Sequence, residues 1–158
     1  MGDTTGNVRL RLRGLDMKNV EPGAFGLGRS DPFFEIAKKD SDYMAGHENW
    51  NVVYRSKYID DNLNPYWESF ELSMEELCYG KLDWPLKITI WDHNENGKHV
   101  KIGEVAETNI TSLQDQIAVK GNADREKAIP ITRPDKNYKT YGLICILQAE
   151  LRPSSTAM

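Results

Sequence analysis

The sequence has little cysteine, little histidine, no long apolar run and no excess of positive charge. Its 158 residues include 2 cysteines and 3 histidines, too few for a disulfide framework or a Cys/His metal site. No apolar stretch approaches the roughly 20 residues of a membrane-spanning helix, and the N-terminus lacks the apolar core of a signal peptide. A net charge of -4 argues against nucleic-acid binding. We expect a cytoplasmic protein, monomeric, with no nucleic-acid partner.

Catalytic motifs are also missing from the sequence. There is no Gly-x-Ser-x-Gly elbow, no glycine-rich phosphate loop with its lysine, and no His-Glu-x-x-His pair, so the common hydrolase, nucleotide-binding and metalloprotease sites are not indicated. Because carboxylates are plentiful, an acid pair of the glycosidase type stays open. The sequence favours a protein that is not an enzyme.

What the sequence has instead is alternation of apolar and polar residues with a period of two, which predicts strands with one buried face. Val8, Leu10 and Leu12 show it first, and Leu86, Ile88 and Ile90 show it again in mid-chain. Eight strands are predicted at 8–13, 33–38, 50–58, 67–72, 86–91, 102–108, 129–132 and 142–151, with a helical turn at 74–77 and an amphipathic piece at 112–119. Short strands separated by turns predict an all-β, eight-stranded antiparallel β-sandwich. The domain is expected at 8–151, with flexible residues at 1–7 and 152–158.

The loop after the fifth strand is rich in oxygen donors. It begins at Asp92, continues through Asn94 and Asn96, and turns at Gly97. Carboxylate and amide oxygens suit calcium, which accepts a flexible shell of hard ligands. The same residue types also dominate ordinary hairpin turns, so both interpretations stay open on these residues alone.

Three separated motifs resemble those of C2 domains, the calcium- and phospholipid-binding module. They are Ser30-Asp31-Pro32-Phe33, Asn62-Leu63-Asn64-Pro65-Tyr66-Trp67, and Trp91-Asp92 through Ile102-Gly103-Glu104. Within that family the sequence is most similar to the second C2 domain of the copines, through Ser30–Glu35 and Leu77-Cys78-Tyr79-Gly80 among other features. The resemblance implies the circularly permuted, type II topology and a non-catalytic role.

The resemblance also implies a calcium site, and here the sequence departs from the family. Calcium-binding C2 domains typically use five carboxylates, which by spacing fall on Asn19, Asp31, Asp92, Asn94 and Val100. Only Asp31 and Asp92 keep their charge. Glu21 could replace Asn19, and Glu95 and Asn96 offer further oxygens. Because charge count tunes calcium affinity, the site is predicted to be weak or partly lost.

Lipid contact is implied at two places. Phe25 and Leu27, on a glycine-rich loop, would insert into a bilayer or fold back over the sandwich. Lys38, Arg55 and Lys57, with Lys98 in the fifth loop, would form a cationic surface for acidic headgroups, or merely a solvated strand face. The resulting prediction is peripheral attachment to acidic phospholipid membranes with a degenerate calcium site. The alternative is a calcium-independent C2 domain that binds a protein partner.

Overall fold

Eight strands and two short α-helices form the part of the chain that the computed structural model describes, residues 5–20, 28–41 and 49–153. The strands are β1 (Asn7–Leu15), β2 (Pro32–Lys39), β3 (Trp50–Arg55), β4 (Phe70–Ser73), β5 (Leu86–Asp92), β6 (Val100–Glu104), β7 (Ile129–Arg133) and β8 (Lys139–Arg152). The helices are α1 (Met74–Cys78) and α2 (Ile110–Asp115), and a 3-10 turn spans Pro134–Lys136. Within these residues no helix is long and apolar enough to cross a membrane.

The strands follow one hydrogen-bonded order, β3-β2-β5-β6-β7-β8-β1-β4, and every neighbouring pair is antiparallel. Between β6 and β7 the ladder consists of one residue pair, Glu104 with Thr132. The two ends of the order nevertheless meet, because the ring of Tyr54 on β3 stacks on Phe70 of β4 with centroids 3.7 Å apart. The order therefore folds back on itself, which confirms the predicted all-β antiparallel sandwich.

The core lies between the two halves of this order, β3-β2-β5-β6 on one side and β7-β8-β1-β4 on the other. Leu10 and Leu12 from one half, and Ile88 and Ile90 from the other, are completely buried, as their alternation predicts. Phe34 packs edge-on against Trp67 at a centroid distance of 4.9 Å. Full burial of one such side chain contributes about 1.5–3 kcal/mol through the hydrophobic effect, so this contact is a substantial part of what holds the halves together.

The first and last strands are neighbours, as the type II prediction requires. β1 pairs with β8 from Asn7–Arg152 to Leu15–Leu143, with a bulge between Arg11 and Leu12. The strands thus extend one residue beyond each predicted domain boundary. Since β1 leads directly into the 16–31 loop, this pairing fixes where that loop leaves the sandwich.

Several element boundaries differ from the predicted ones. β3 ends at Arg55 instead of residue 58, β4 begins at Phe70 instead of 67, and β6 ends at Glu104 instead of 108. The predicted amphipathic piece at 112–119 is shifted to Ile110–Asp115, because the Asn109 side chain caps the helix by accepting from the Ser112 N–H at 2.8 Å. Beyond the end of this helix, Ile117 forms an isolated parallel bridge with Ile146 of β8.

Candidate calcium and lipid site

The register of β2 and β5 brings the two predicted carboxylates together. Pro32 at the start of β2 pairs with Asp92 at the end of β5, so Asp31 and Asp92 lie side by side at one end of the sandwich. The Asp31 N–H donates to Asp92 Oδ1 at 2.8 Å, and the His93 N–H donates to the Asp31 carbonyl at 2.9 Å. Loops 16–31 and 93–99 are therefore joined through this pair.

Asp92 is fully buried, and its two carboxylate oxygens are in different situations. Oδ1 accepts the Asp31 N–H, whereas Oδ2 has no hydrogen-bond partner among the described residues. A buried carboxylate oxygen without a donor is costly unless a cation or a proton compensates it. Oδ2 is thus a ligand atom that fits a hard cation such as calcium.

The number of charged ligands is nevertheless small. Across residues 5–20, 28–41 and 49–153, no three His, Cys, Asp or Glu side chains are grouped closely enough to hold a metal ion. Asp31 and Asp92 fit calcium in ligand type, with fewer charges than a tight site requires. Glu21 lies outside the described residues.

Asp61 is a site residue that the sequence reasoning missed. Its N–H donates to Asp31 Oδ1 at 2.7 Å, and its own Oδ1 accepts from the Arg29 N–H. Asp61 adopts the left-handed conformation, with φ at 52°, in the loop between β3 and β4. The Asn62-Leu63-Asn64-Pro65 turn indicated a loop there, but nothing in its pattern indicated that the preceding aspartate orients Asp31.

Asn19 is connected to the Asp31–Asp92 pair by a hydrogen bond with Ser30, the residue that precedes Asp31. Ser30 Oγ donates to Asn19 Oδ1 at 3.3 Å, and Asn19 Nδ2 donates to the Gly28 carbonyl at 2.9 Å. Ser30 is itself completely buried. Asn19 therefore helps to position Gly28 and Ser30, and its role as a calcium ligand stays a prediction.

Asn94 and Asn96 use their side chains within their own loop. Asn94 Nδ2 donates to the Lys98 carbonyl at 2.8 Å, and Asn96 Oδ1 accepts from the Lys98 N–H at 2.9 Å. Gly97 completes the turn with φ at 83°, a value that favours glycine. These bonds serve the hairpin, as the alternative interpretation of this loop expects, and a ligand role for either asparagine stays a prediction.

The predicted cationic residues do not form one surface. Arg55 donates through Nε to Glu35 Oε2 at 2.8 Å, so its charge is partly neutralised. Lys38 follows Phe34 and Ile36 at two-residue spacing, which puts it on the face opposite to Glu35. Its Nζ lies 3.7 Å from the Tyr79 ring centroid. The structure thus separates Lys38 from Arg55.

Arg55 and Lys57 instead border a groove that the sequence did not predict. This groove has a volume of about 380 Å³ and is lined by Phe33, Arg55, Ser56, Lys57, Tyr58, His93 and His99. The Tyr58 ring stacks on His93 with centroids 3.8 Å apart, and His99 lies 4.9 Å from His93. Since His93 directly follows Asp92, the groove adjoins the carboxylate pair.

Two further predicted residues, Phe25 and Leu27, lie outside the residues that the structure describes. Lys98 is exposed in the 93–99 loop, close to the groove residues His93 and His99. The carboxylate pair, the groove and Lys98 therefore lie in one region, at the end of the sandwich that carries residues 93–99, here called the loop end.

Comparison with known proteins agrees with this architecture. The family model for the C2 domain matches residues 7–121, more than half of the chain. A structure of BON1-C2B has a TM-score of 0.70 and 22% identity, covering 96% of this chain and 94% of that one. The calcium-bound pair of C2 domains of Extended-Synaptotagmin 2 gives 0.56 and 17%, covering 95% of this chain and 47% of that one. A C2 domain of plant Extended Synaptotagmin 1 gives 0.50 and 18%, with 94% and 98% covered. The chain belongs to the C2 domain family.

Proposed function

We propose that this C2 domain is a non-catalytic module that attaches peripherally to acidic phospholipid membranes through its loop end, where Asp31 and Asp92 form a weak calcium site. The observation that carries the proposal is the buried Oδ2 of Asp92, which has no hydrogen-bond partner in the described part of the chain, next to the groove that Arg55 and Lys57 border. A cation ligand and basic side chains at one end of the molecule suit a surface that presents phosphate and carboxylate groups.

The calcium role follows from the donor set. Asp92 Oδ2 and the Asp31 carboxylate supply charge, and Asn19, Asn94 and Asn96 supply neutral oxygens. These side chains would hold the ion, and the ion would supply positive charge for a lipid phosphate. Because only two of the five carboxylates typical of calcium-binding C2 domains are present, and calcium affinity rises with the number of charged ligands, we expect a dissociation constant near or above about 0.1 mM.

The lipid role assigns Arg55, Lys57 and Lys98 to headgroup contact and Phe25 and Leu27 to the bilayer surface. A loop end with few carboxylates repels an anionic membrane weakly, so basic side chains can bind it without a metal. Lys38, on the other face, would contribute at most through long-range attraction. Closeness to the second C2 domain of copines is part of this proposal, and the likeness to BON1-C2B supports it in part. A cytoplasmic location and a monomeric state are also part of the proposal.

A protein-interaction domain is the second candidate, and one observation favours it. The Glu35 carboxylate accepts a hydrogen bond from the Arg55 guanidinium and a second one from Trp91 Nε1, at 3.0 Å. A guanidinium already paired in this way attracts phosphate less strongly, whereas a groove lined by aromatic rings and histidines suits a polar peptide.

Binding to phosphatidylserine-rich vesicles, measured by co-sedimentation, separates the candidates. We expect weak, salt-sensitive binding that changes little on adding a chelator, and a larger loss in Arg55→Ala/Lys57→Ala than in Asp92→Asn. Lys81→Ala/Lys127→Ala removes the same charge from residues that do not line the groove and is the matched control. Normal binding by the Arg55/Lys57 variant, with full loss on chelation, would mean that calcium is the bridge. No vesicle binding by the parent protein would favour the protein-interaction domain.

A further inference from the structure

Tyr138 is a large aromatic residue that neither burial nor backbone preference explains. The residue is 69% exposed. Its φ is 58°, and Asn137 before it has φ at 56°. Asparagine adopts this left-handed conformation readily, but a bulky residue does so rarely. An exposed tyrosine held in a strained conformation therefore points to a role outside the fold itself.

The turn that carries Tyr138 lies at the same end of the sandwich as the carboxylate pair. Arg133, the last residue of β7, donates through Nη1 to the Lys101 carbonyl at 3.4 Å, and Lys101 pairs with Trp91, next to Asp92. On the other side, the Lys18 N–H of the 16–31 loop donates to the Tyr141 carbonyl at 3.0 Å. Residues 134–139, here called the tyrosine turn, thus stand between loops 16–31 and 93–99.

The tyrosine turn is fixed by bonds at its base. The Tyr138 N–H donates to the Arg133 carbonyl at 2.9 Å, and Arg133 donates to Asp135 through Nη2 at 2.7 Å and Nε at 3.1 Å. The Arg133 hydrogen bond holds the pKa of Asp135 below its ordinary value, so this pair stays ionised at neutral pH. A pre-formed turn loses little conformational freedom when it binds a surface.

The charge around the ring is positive. Lys136 and Lys139 flank Tyr138 and are exposed, and neither forms an ion pair with any residue the structure describes. Asp135 is the nearest acid in the sequence, and Arg133 already neutralises it. A tyrosine between two exposed lysines matches the interface of an anionic bilayer, where aromatic rings sit at headgroup depth and lysines meet lipid phosphates.

We propose that the tyrosine turn is a second membrane contact, in which the Tyr138 ring enters the headgroup region of an anionic bilayer while Lys136 and Lys139 bind lipid phosphates. This inference rests on the proposed attachment of the loop end and adds to it an anchor between β7 and β8. It assigns a lipid-binding role to residues outside the groove and outside the calcium loops.

Vesicle partitioning of three variants tests the anchor. In Tyr138→Asn the ring is lost but the left-handed backbone is kept, so partitioning into phosphatidylserine-rich vesicles should fall roughly threefold to tenfold with no fall in melting temperature. Tyr138→Trp, which keeps an interfacial aromatic ring, should retain binding. Lys136→Gln/Lys139→Gln should weaken binding by roughly fivefold per lysine, and Lys81→Gln/Lys127→Gln, with the same net charge, should weaken it less.

A position-specific probe adds a direct readout. A fluorophore that responds to polarity is attached at Tyr138→Cys, with Leu151→Cys at the far end of β8 as the control, because native Cys78 and Cys145 are buried. Vesicles should shift the emission at position 138 to the blue and leave position 151 unchanged. If the parent protein binds vesicles but Tyr138→Asn binds equally and position 138 shows no shift, the anchor is wrong and the proposed attachment stands. If the parent protein does not bind, both are wrong.

Discussion

Asp92 combines complete burial with one carboxylate oxygen that no donor in the described part of the chain reaches. Its position was predictable from sequence, because the alternation of Leu86, Ile88 and Ile90 fixes where the strand ends and the polar loop starts. Its pairing with Asp31 depends on the register of β2 and β5, and the support from Asp61 depends on a third loop. Single-sequence patterns do not encode either contact, which is why Asp61 and the groove were missed.

We expect the substitution Asp92→Asn to remove calcium binding and to leave the fold intact. Asparagine retains an oxygen to accept the Asp31 N–H but lacks the charge that a cation needs. Isothermal titration calorimetry should give a weak calcium signal for the parent protein and none for Asp92→Asn, with melting temperatures within a few degrees in the absence of calcium. Glu95→Gln makes the same charge change in the adjacent loop and should leave calcium binding nearly unchanged. A large loss in Glu95→Gln would show that Glu95 has replaced a missing carboxylate.

The sequence predicts the positions of the regularly alternating strands correctly, but it does not predict the residues at which those strands begin and end. The predicted strand at 102–108 stops at Glu104, yet Thr108 returns to exchange two backbone hydrogen bonds with Leu86. Trp67 lies outside β4 although it is buried, and its backbone N–H still donates to the Leu12 carbonyl of β1. Such boundaries depend on tertiary contacts that override local propensity, whereas the buried faces follow directly from the apolar pattern.

The pairing of β1 with β8 supplies a prediction about one glycine. Gly142 on β8 has φ at 133°, and a Cβ there would lie 2.8 Å from Met17 Cα, a backbone atom. Gly142→Ala should therefore lower the free energy of unfolding by about 2–4 kcal/mol, from backbone strain and overpacking together. Gly121 has φ at 96° with nothing within 4 Å of an added Cβ, so Gly121→Ala should cost only about 1 kcal/mol. Urea unfolding measures both, and equal losses would show that Met17, which follows β1, lies less close to Gly142 than the structure places it.

For the whole molecule, the eight-stranded sandwich acts as a rigid support that collects several unlike elements at one end. The carboxylate pair, the groove bordered by Arg55 and Lys57, and the tyrosine turn come from segments far apart in sequence. Because only Asp31 and Asp92 keep the charge of a calcium ligand there, we assign membrane attachment mainly to basic and aromatic side chains and only a minor part to calcium. The fold class could be predicted from alternation and motif order, but the basic surface could not, since Lys38 and Arg55 prove to lie on opposite faces.

The calcium dependence of vesicle binding tests this claim most directly. Free calcium is titrated while co-sedimentation with phosphatidylserine-rich vesicles is measured at constant ionic strength, so that screening does not change. We expect weak but measurable binding in chelator, no change through low micromolar calcium, and any increase only near or above about 0.1 mM. Binding that is absent in chelator and half-maximal at low micromolar calcium would contradict it.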